Sequence, residues 1–236
     1  MASTANAREI NNFTSIAAQW WNEAGPMKPL HELNPTRMSI LKRWLGGDVK
    51  GMKILDVGCG GGLVCEPLAR LGAKVTGIDA GAENIEAARD HAAQSGLTIT
   101  YDAILAEDFL AKHAGQFDAV LGLEIIEHVD DPAFFVETLV KLAKPEGKII
   151  LSTLNRTPKS FALGIVAAEY ILRWVPRGTH TWSKFRKPSE LSAYLKDAGA
   201  KMTEMTGLIF DPISGGFREH ARDIDVNYFV CATRQS

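Results

Sequence analysis

The sequence predicts an α/β fold: a doubly wound, mostly parallel sheet of seven strands with an antiparallel C-terminal strand. Three observations carry this reading. Five short apolar runs between residues 53 and 153 look like strands, most of them separated by stretches of helical length. Crossovers of that kind join parallel neighbours and are right-handed, so helices cover both faces of the sheet. A glycine run, Gly58-Cys59-Gly60-Gly61-Gly62, follows the first strand. Finally, residues 202–210 and 226–233 read as strands with no helix between them, a hairpin-like, antiparallel ending.

The chain has 236 residues, 46% apolar and 23% charged, with a net charge of −2. That is one large domain, or one domain with an insertion, and neither disordered nor coiled coil. No block of like charges suggests a nucleic-acid partner. Cys59, Cys65 and Cys231 are odd in number and form no CxxC pair, which argues against disulfides or a zinc cluster and for a reducing cytoplasm. The first residues have no basic region followed by an apolar one, and no apolar run reaches the ~20 residues of a membrane span. A cytoplasmic protein is expected.

The elements follow in order. Residues 1–50 read as an N-terminal helical cap. Phe13, Ile16, Ala17, Trp20 and Trp21 have helix-like spacing within 12–23. Pro26, Pro29 and Pro35 are expected to break the chain, and a helix resumes over 38–45 until Gly46-Gly47 ends it. From residue 51 the main domain begins, with strands at 53–57, 73–78, 97–101, 117–123 and 148–153. Helices are expected at 63–71, 82–94, 133–143 and 189–198, the last with Ser189 as cap.

The glycine loop is the first candidate site. Glycines tolerate positive φ and let the backbone approach a ligand at the carboxyl edge of the sheet. The dinucleotide pattern GxGxxG fails because Leu63 stands at its sixth position, which disfavours an NAD-dependent oxidoreductase. Asp79 lies 21 residues after Gly58, at the end of the second strand, where an acid can accept from both hydroxyls of a ribose. A GxGGG loop preceded by Asp56 and followed by such an acid looks more like an S-adenosylmethionine site.

Here the chain resembles the class I S-adenosylmethionine-dependent methyltransferases, which also end in an antiparallel seventh strand. Several segments narrow the match. They are Trp20-Trp21, Lys28-Pro29-Leu30-His31-Glu32-Leu33-Asn34-Pro35-Thr36-Arg37, Glu124-Ile125-Ile126-Glu127-His128-Val129, Ser152-Thr153-Leu154-Asn155-Arg156 and Gly178-Thr179-His180. All look like the ubiquinone biosynthesis O-methyltransferases, and the resemblance runs from about Phe13 to Tyr228. It implies methyl transfer to a ring hydroxyl of polyprenylated catechols, 2-polyprenyl-6-hydroxyphenol and 3-demethylubiquinol, at two steps of ubiquinone synthesis. It also implies that Arg37, Gly58, Asp79 and Leu123 line the cofactor, with Gly60 in the same loop. A guanidinium at Arg37 suits the cofactor's carboxylate, which it can bind with two parallel hydrogen bonds. Leu105 departs from the pattern, because many methyltransferases carry an acid near that position; only Ala106 and Glu107 neighbour it.

Glu124, Glu127 and His128 follow the fourth strand at i, i+3 and i+4. On a helical turn all three would leave from one face, beside the cofactor. Three readings stand: His128 as the base that deprotonates a phenol, the trio as ligands of a divalent cation such as Mg²⁺, or a structural helix cap.

Residues 156–187 form an insertion. They carry seven basic residues and one acid, Glu169, a local balance of +6 against −8 for the rest. Around an apolar stretch from Phe161 to Ala168 this suits a helix lying on an anionic membrane surface, with a buried core helix as the alternative. The expected partners are thus a polyprenylated phenol, the inner membrane surface and other enzymes of ubiquinone synthesis. Rival functions are methylation of another small phenol, or a non-catalytic subunit that binds the cofactor or quinols.

Overall fold

The central strands alternate their side chains between two apolar layers, as period-2 geometry requires. In the computed structural model, which describes residues 4, 6–163, 181–211 and 215–236 and leaves out the side chains of 7–9 and 12, strand β1 is Lys53–Val57. Its Ile54 joins one core, while Leu55 and Val57 join the other. Strands β2 (Lys74–Asp79), β3 (Thr100–Ala103), β4 (Phe117–Leu123) and β5 (Ala143–Leu154) complete the parallel part. In β4, Ala119 and Leu121 face the first core and Val120 the second; in β5, Ile150 faces the first and Ile149 and Leu151 the second.

Helices α1 (Ala7–Thr14), α2 (Lys28–Trp44), α3 (Cys65–Arg70) and α4 (Ala82–Gln94) come first in the chain. Of these, α2, α3 and α4 bury Ile40, Leu41, Leu68, Ile85 and Ala88 in the first core. Helices α5 (Ala106–His113), α6 (Pro132–Leu142), a short turn α7 (Pro158–Ser160) and α8 (Pro188–Asp197) follow. Phe109, Phe135, Leu139, Leu191 and Leu195 bring α5, α6 and α8 into the second core. The sheet is therefore covered on both faces.

The C-terminal end has one strand more than expected. Strands β6 (Ala200–Asp211), β7 (Gly216–His220) and β8 (Asn227–Arg234) give a sheet order of β3-β2-β1-β4-β5-β8-β6-β7. β8 runs antiparallel between β5 and β6, and β7 pairs antiparallel with β6 at the edge. Gly-Phe-Arg-Glu-His is mostly polar and half-buried, so no apolar run marks it in the sequence.

Other expectations need correction. Trp20 and Trp21 lie beyond α1 and a 3-10 turn at Ala17–Gln19, rather than inside one helix. Pro29 sits in the first turn of α2, where its missing N–H costs nothing, and Pro35 lies inside that helix without ending it. Burial of Leu33, Ile40, Leu41 and Trp44 on one side of α2 outweighs the interior proline, which alone costs about 3 kcal/mol. Ser189 does not cap α8: Lys187 holds that position, with its N–H donated to Glu190 Oε2 at 2.8 Å. The middle of the 156–187 insertion, including Arg173, Arg177 and Gly178-Thr179-His180, lies outside the described residues.

Candidate functional site

The loop after β1 wraps over the end of β2. Gly58 and Cys59 both donate to the Ile78 carbonyl, at 2.8 and 3.1 Å. Gly58, Gly60 and Gly62 have φ of 73, 51 and 86°, a region that disfavours any residue with a Cβ. Space forbids one as well. A Cβ on Gly58 would lie 2.8 Å from Ile125, on Gly60 2.3 Å from Trp20, and on Gly62 2.4 Å from the Tyr101 hydroxyl.

Asp79 ends β2 under this loop. Its Oδ2 accepts from Gly60 N–H at 3.0 Å, and its Oδ1 from Gly81 N–H at 2.8 Å and Asn84 Nδ2 at 3.1 Å. Burial raises its pKa, and these three donors oppose the rise. A carboxylate has about four accepting sites, so Oδ2 retains capacity for a ligand hydroxyl.

Arg37 projects from α2 and is buried. Its Nε has no hydrogen-bond partner among the described residues. Burial lowers its pKa, and the nearby carboxylates of Glu124 and Asp56 push the other way. Asp56, at the end of β1, accepts from Cys65 Sγ at 3.3 Å, and burial raises its pKa to about 6. A buried guanidinium with an unmet donor suits an anionic, carboxylate-bearing ligand.

Leu123 closes β4 opposite Ser152, and the next residue turns the chain. Glu124 has φ +54°. Its N–H donates to the Ser152 carbonyl at 3.0 Å, and its Oε1 accepts from Ser152 Oγ at 2.6 Å and Asn227 Nδ2 at 3.1 Å. Glu127 Oε2 accepts from Thr153 Oγ1 at 2.7 Å. Burial and the Glu124 charge raise the Glu127 pKa to about 7, against the pull of His128 and the Thr153 bond. His128 is nearly buried, and the Phe13 ring meets it edge-on at 5.2 Å.

The single helical face expected of Glu124, Glu127 and His128 does not form. The left-handed Glu124 sends the chain into a turn, and Ser152, Asn227 and Thr153 engage the two carboxylates. Among the described residues no group of three His, Cys, Asp or Glu side chains converges to hold a metal ion. The Mg²⁺ reading thus gains no three-residue ligand set from this geometry.

Several contacts of the site were not anticipated. Trp20 covers Gly60 and Gly61, Asn84 braces Asp79, Phe13 meets His128, and Ser152, Thr153 and Asn227 hold the acids. One signal was available: Ser152-Thr153 are polar residues that end an otherwise apolar strand.

A family model described as a methyltransferase domain matches residues 30–205. A ubiquinone biosynthesis O-methyltransferase of Azorhizobium caulinodans is 47% identical over 98% of this chain and 96% of its own length. One of Cereibacter sphaeroides is 44% identical over 100% of this chain and 99% of its own. Among solved structures, a magnesium protoporphyrin IX methyltransferase from Synechocystis PCC 6803 with bound SAH aligns with a TM-score of 0.62. It is 22% identical and covers 86% of this chain and 84% of that one, a likeness of fold. With near-end-to-end relatives at this identity, the chain belongs to the ubiquinone biosynthesis O-methyltransferase family.

Proposed function

We propose that the protein transfers a methyl group from S-adenosylmethionine to a ring hydroxyl of polyprenylated catechols in ubiquinone synthesis. The observation that carries this is the meeting, at one carboxyl edge of the sheet, of a glycine loop, a ribose-type acid and a buried arginine with the Glu124–His128 turn. Asp79 Oδ2 accepts a ribose hydroxyl, Arg37 binds the carboxylate with its unmet N–H, and Gly58, Gly60 and Leu123 line the rest.

When bound, the cofactor supplies an electrophilic sulfonium methyl. The chain's residues supply position and proton transfer. His128 takes the phenol proton on a ring nitrogen, which leaves a phenolate oxygen as acceptor for the methyl group that the cofactor would supply. Phenols have a pKa near 10 and stay largely neutral at pH 7, so such a base contributes about 10²–10⁴-fold. Glu127, beside it, favours the imidazolium that results. No step is assigned to a metal.

His128→Ala is the test. It should lower kcat by about 10²–10⁴-fold on a short-tailed catechol with little change in S-adenosylhomocysteine affinity. A variant with full kcat would make His128 structural.

We further infer that 156–187 rests on an anionic membrane surface, placing the enzyme peripherally at the inner membrane where its long-tailed substrates and other enzymes of the pathway lie. No described helix is long and apolar enough to cross a membrane. Exposed Phe161, Leu163 and Trp182 gather at the insertion's two ends, Phe161 meeting Trp182 edge-on at 6.3 Å. Sedimentation with anionic but not neutral liposomes, weakened by salt and by Arg173→Glu with Arg177→Glu, supports this reading. Equal binding to neutral and anionic liposomes, or no binding to either, overturns it.

A further inference from the structure

The Trp20-Trp21 pair plays no part in the proton transfer above, yet each indole ends on a different element of the cofactor edge. Trp20 Nε1 donates to Asn84 Oδ1 at 2.9 Å, and Asn84 in turn donates to Asp79. Trp21 Nε1 donates to the Gly61 carbonyl at 2.9 Å.

Trp21 is itself held. Its ring lies flat on His91 of α4, with centroids 3.4 Å apart and planes 6° from parallel. His31 of α2 stands edge-on to it at 6.1 Å, and His31 Nε2 contacts the Trp20 carbonyl at 2.8 Å. Behind His91 is Glu66 of α3, whose carboxylate has no solvent exposure. It meets His91 Nδ1 at 2.6 Å and Arg70 at 2.9 Å. A carboxylate only accepts, so Nδ1 carries the proton and the imidazole plane is set by this bond.

The chain of contacts Glu66–His91–Trp21–Gly61 thus ends on a loop whose glycines have the widest backbone freedom of any residue. A loop that is free before binding loses that freedom on binding, and affinity falls accordingly; one held in place beforehand does not. We propose that His91, oriented by Glu66, is a positioning residue for the cofactor loop. Its stack on Trp21 holds the indole that anchors Gly61, and so sets affinity for S-adenosylmethionine without touching the transferring methyl. This rests on reading the glycine loop as the cofactor loop.

Calorimetry of the full chain with S-adenosylhomocysteine tests it, alongside steady-state kinetics. The His91 side chain is partly exposed, 30%, so its truncation leaves the cores intact. His91→Ala should weaken binding about 3- to 10-fold, the range expected for loss of an aromatic stack. It should raise KM for the cofactor by the same factor, with kcat at saturating cofactor moving less. His91→Phe keeps the stack and should restore most of the affinity. Trp21→Leu should resemble His91→Ala, and the double variant should lose no more than the worse single one, because both act along one path. Additive losses, or a His91→Ala defect that tracks melting temperature and is not rescued by Phe, overturn the proposal. So does wild-type affinity in His91→Ala while Asp79→Ala binds poorly. Wild-type affinity in both would show that the glycine-loop reading has failed, and the proposal with it.

Discussion

The glycine loop and the turn after β4 lie at the same sheet edge, one presenting the half-buried Asp79 and the other the buried Glu127, and the two acids are held by different means. Asp79 accepts from the backbone N–H groups of Gly60 and Gly81 and from Asn84. Glu127 rests on one hydroxyl, Thr153, between the charges of Glu124 and His128. Backbone donors do not titrate, and together with Asn84 they oppose the rise that burial gives the Asp79 pKa. The second arrangement depends on the charge state of its own members. The glycine-loop side is therefore held by donors that do not titrate, and the turn after β4 by contacts that depend on charge.

The largest effect on ligand binding is expected at the glycine-loop side. Asp79→Ala removes the acceptor proposed for a ribose hydroxyl and leaves the Gly60 and Gly81 N–H groups without their partner. S-adenosylhomocysteine affinity, read by calorimetry, should fall about 10²-fold or more, since each bond to a charged group contributes about 1.5–3 kcal/mol. Wild-type affinity in the variant would break the comparison.

Glu127→Gln probes the other side. The folded state holds the Glu127 pKa at about 7, above its ordinary 4.5, so the protonated form is the one that folding favours. The associated stability is fully present below about pH 4.5 and is lost as pH rises through 7, a change of about 3 kcal/mol. Glu127→Gln should flatten the fall in urea-unfolding free energy between pH 5 and pH 8. A wild-type curve without that fall would remove the charge sensitivity.

A smaller loss belongs to Gly60→Ala. It forces a residue with a Cβ to φ 51°, with that Cβ 2.3 Å from the Trp20 ring. Strain and overpacking of this kind cost about 1–3 kcal/mol, and the melting temperature should drop about 2–4 °C for each kcal/mol. The smallest effect is that of Thr153→Val, which takes away the one hydroxyl supporting the Glu127 charge. Stability should fall by about 1 kcal/mol above pH 7 and by less below pH 5, because a neutral carboxyl needs that donor less.

The parallel half of the sheet was legible where a strand is a short apolar run; β3, Thr100–Ala103, buries only Tyr101 and lies downstream of the expected 97–101, and β5 begins at Ala143, ahead of the expected 148. β1 and β4 coincide with their expected limits, and α4 spans the expected 82–94. Elements without such a run escaped. Strand β7 is half-buried and polar, and it exists because β6 offers it an edge to pair with. Helix α5 is short, and only Ala106 and Phe109 in it are buried. Interior Pro35 looked like a breaker because local preference argues that way, whereas α2 is held by packing on the sheet.

At the site, the sequence by itself determined the residue types and the places where the chain must turn: glycines at 58, 60 and 62, an acid ending β2, and two acids and a histidine after β4. Those are local properties, set by backbone sterics and by strand ends. Which groups meet them was decided only by the tertiary structure. Trp20 comes to lie on Gly60, Phe13 on His128, Asn84 beside Asp79, and Thr153 and Asn227 against the two glutamates. Apart from Asn84 and Asp79, these partners are distant in the chain, with 103 positions between Glu124 and Asn227. The i, i+3, i+4 spacing of Glu124, Glu127 and His128 favours one helical face. The hydrogen bonds to Ser152 and Asn227 hold Glu124 in a left-handed turn instead, because long-range partners outweigh the local helical preference.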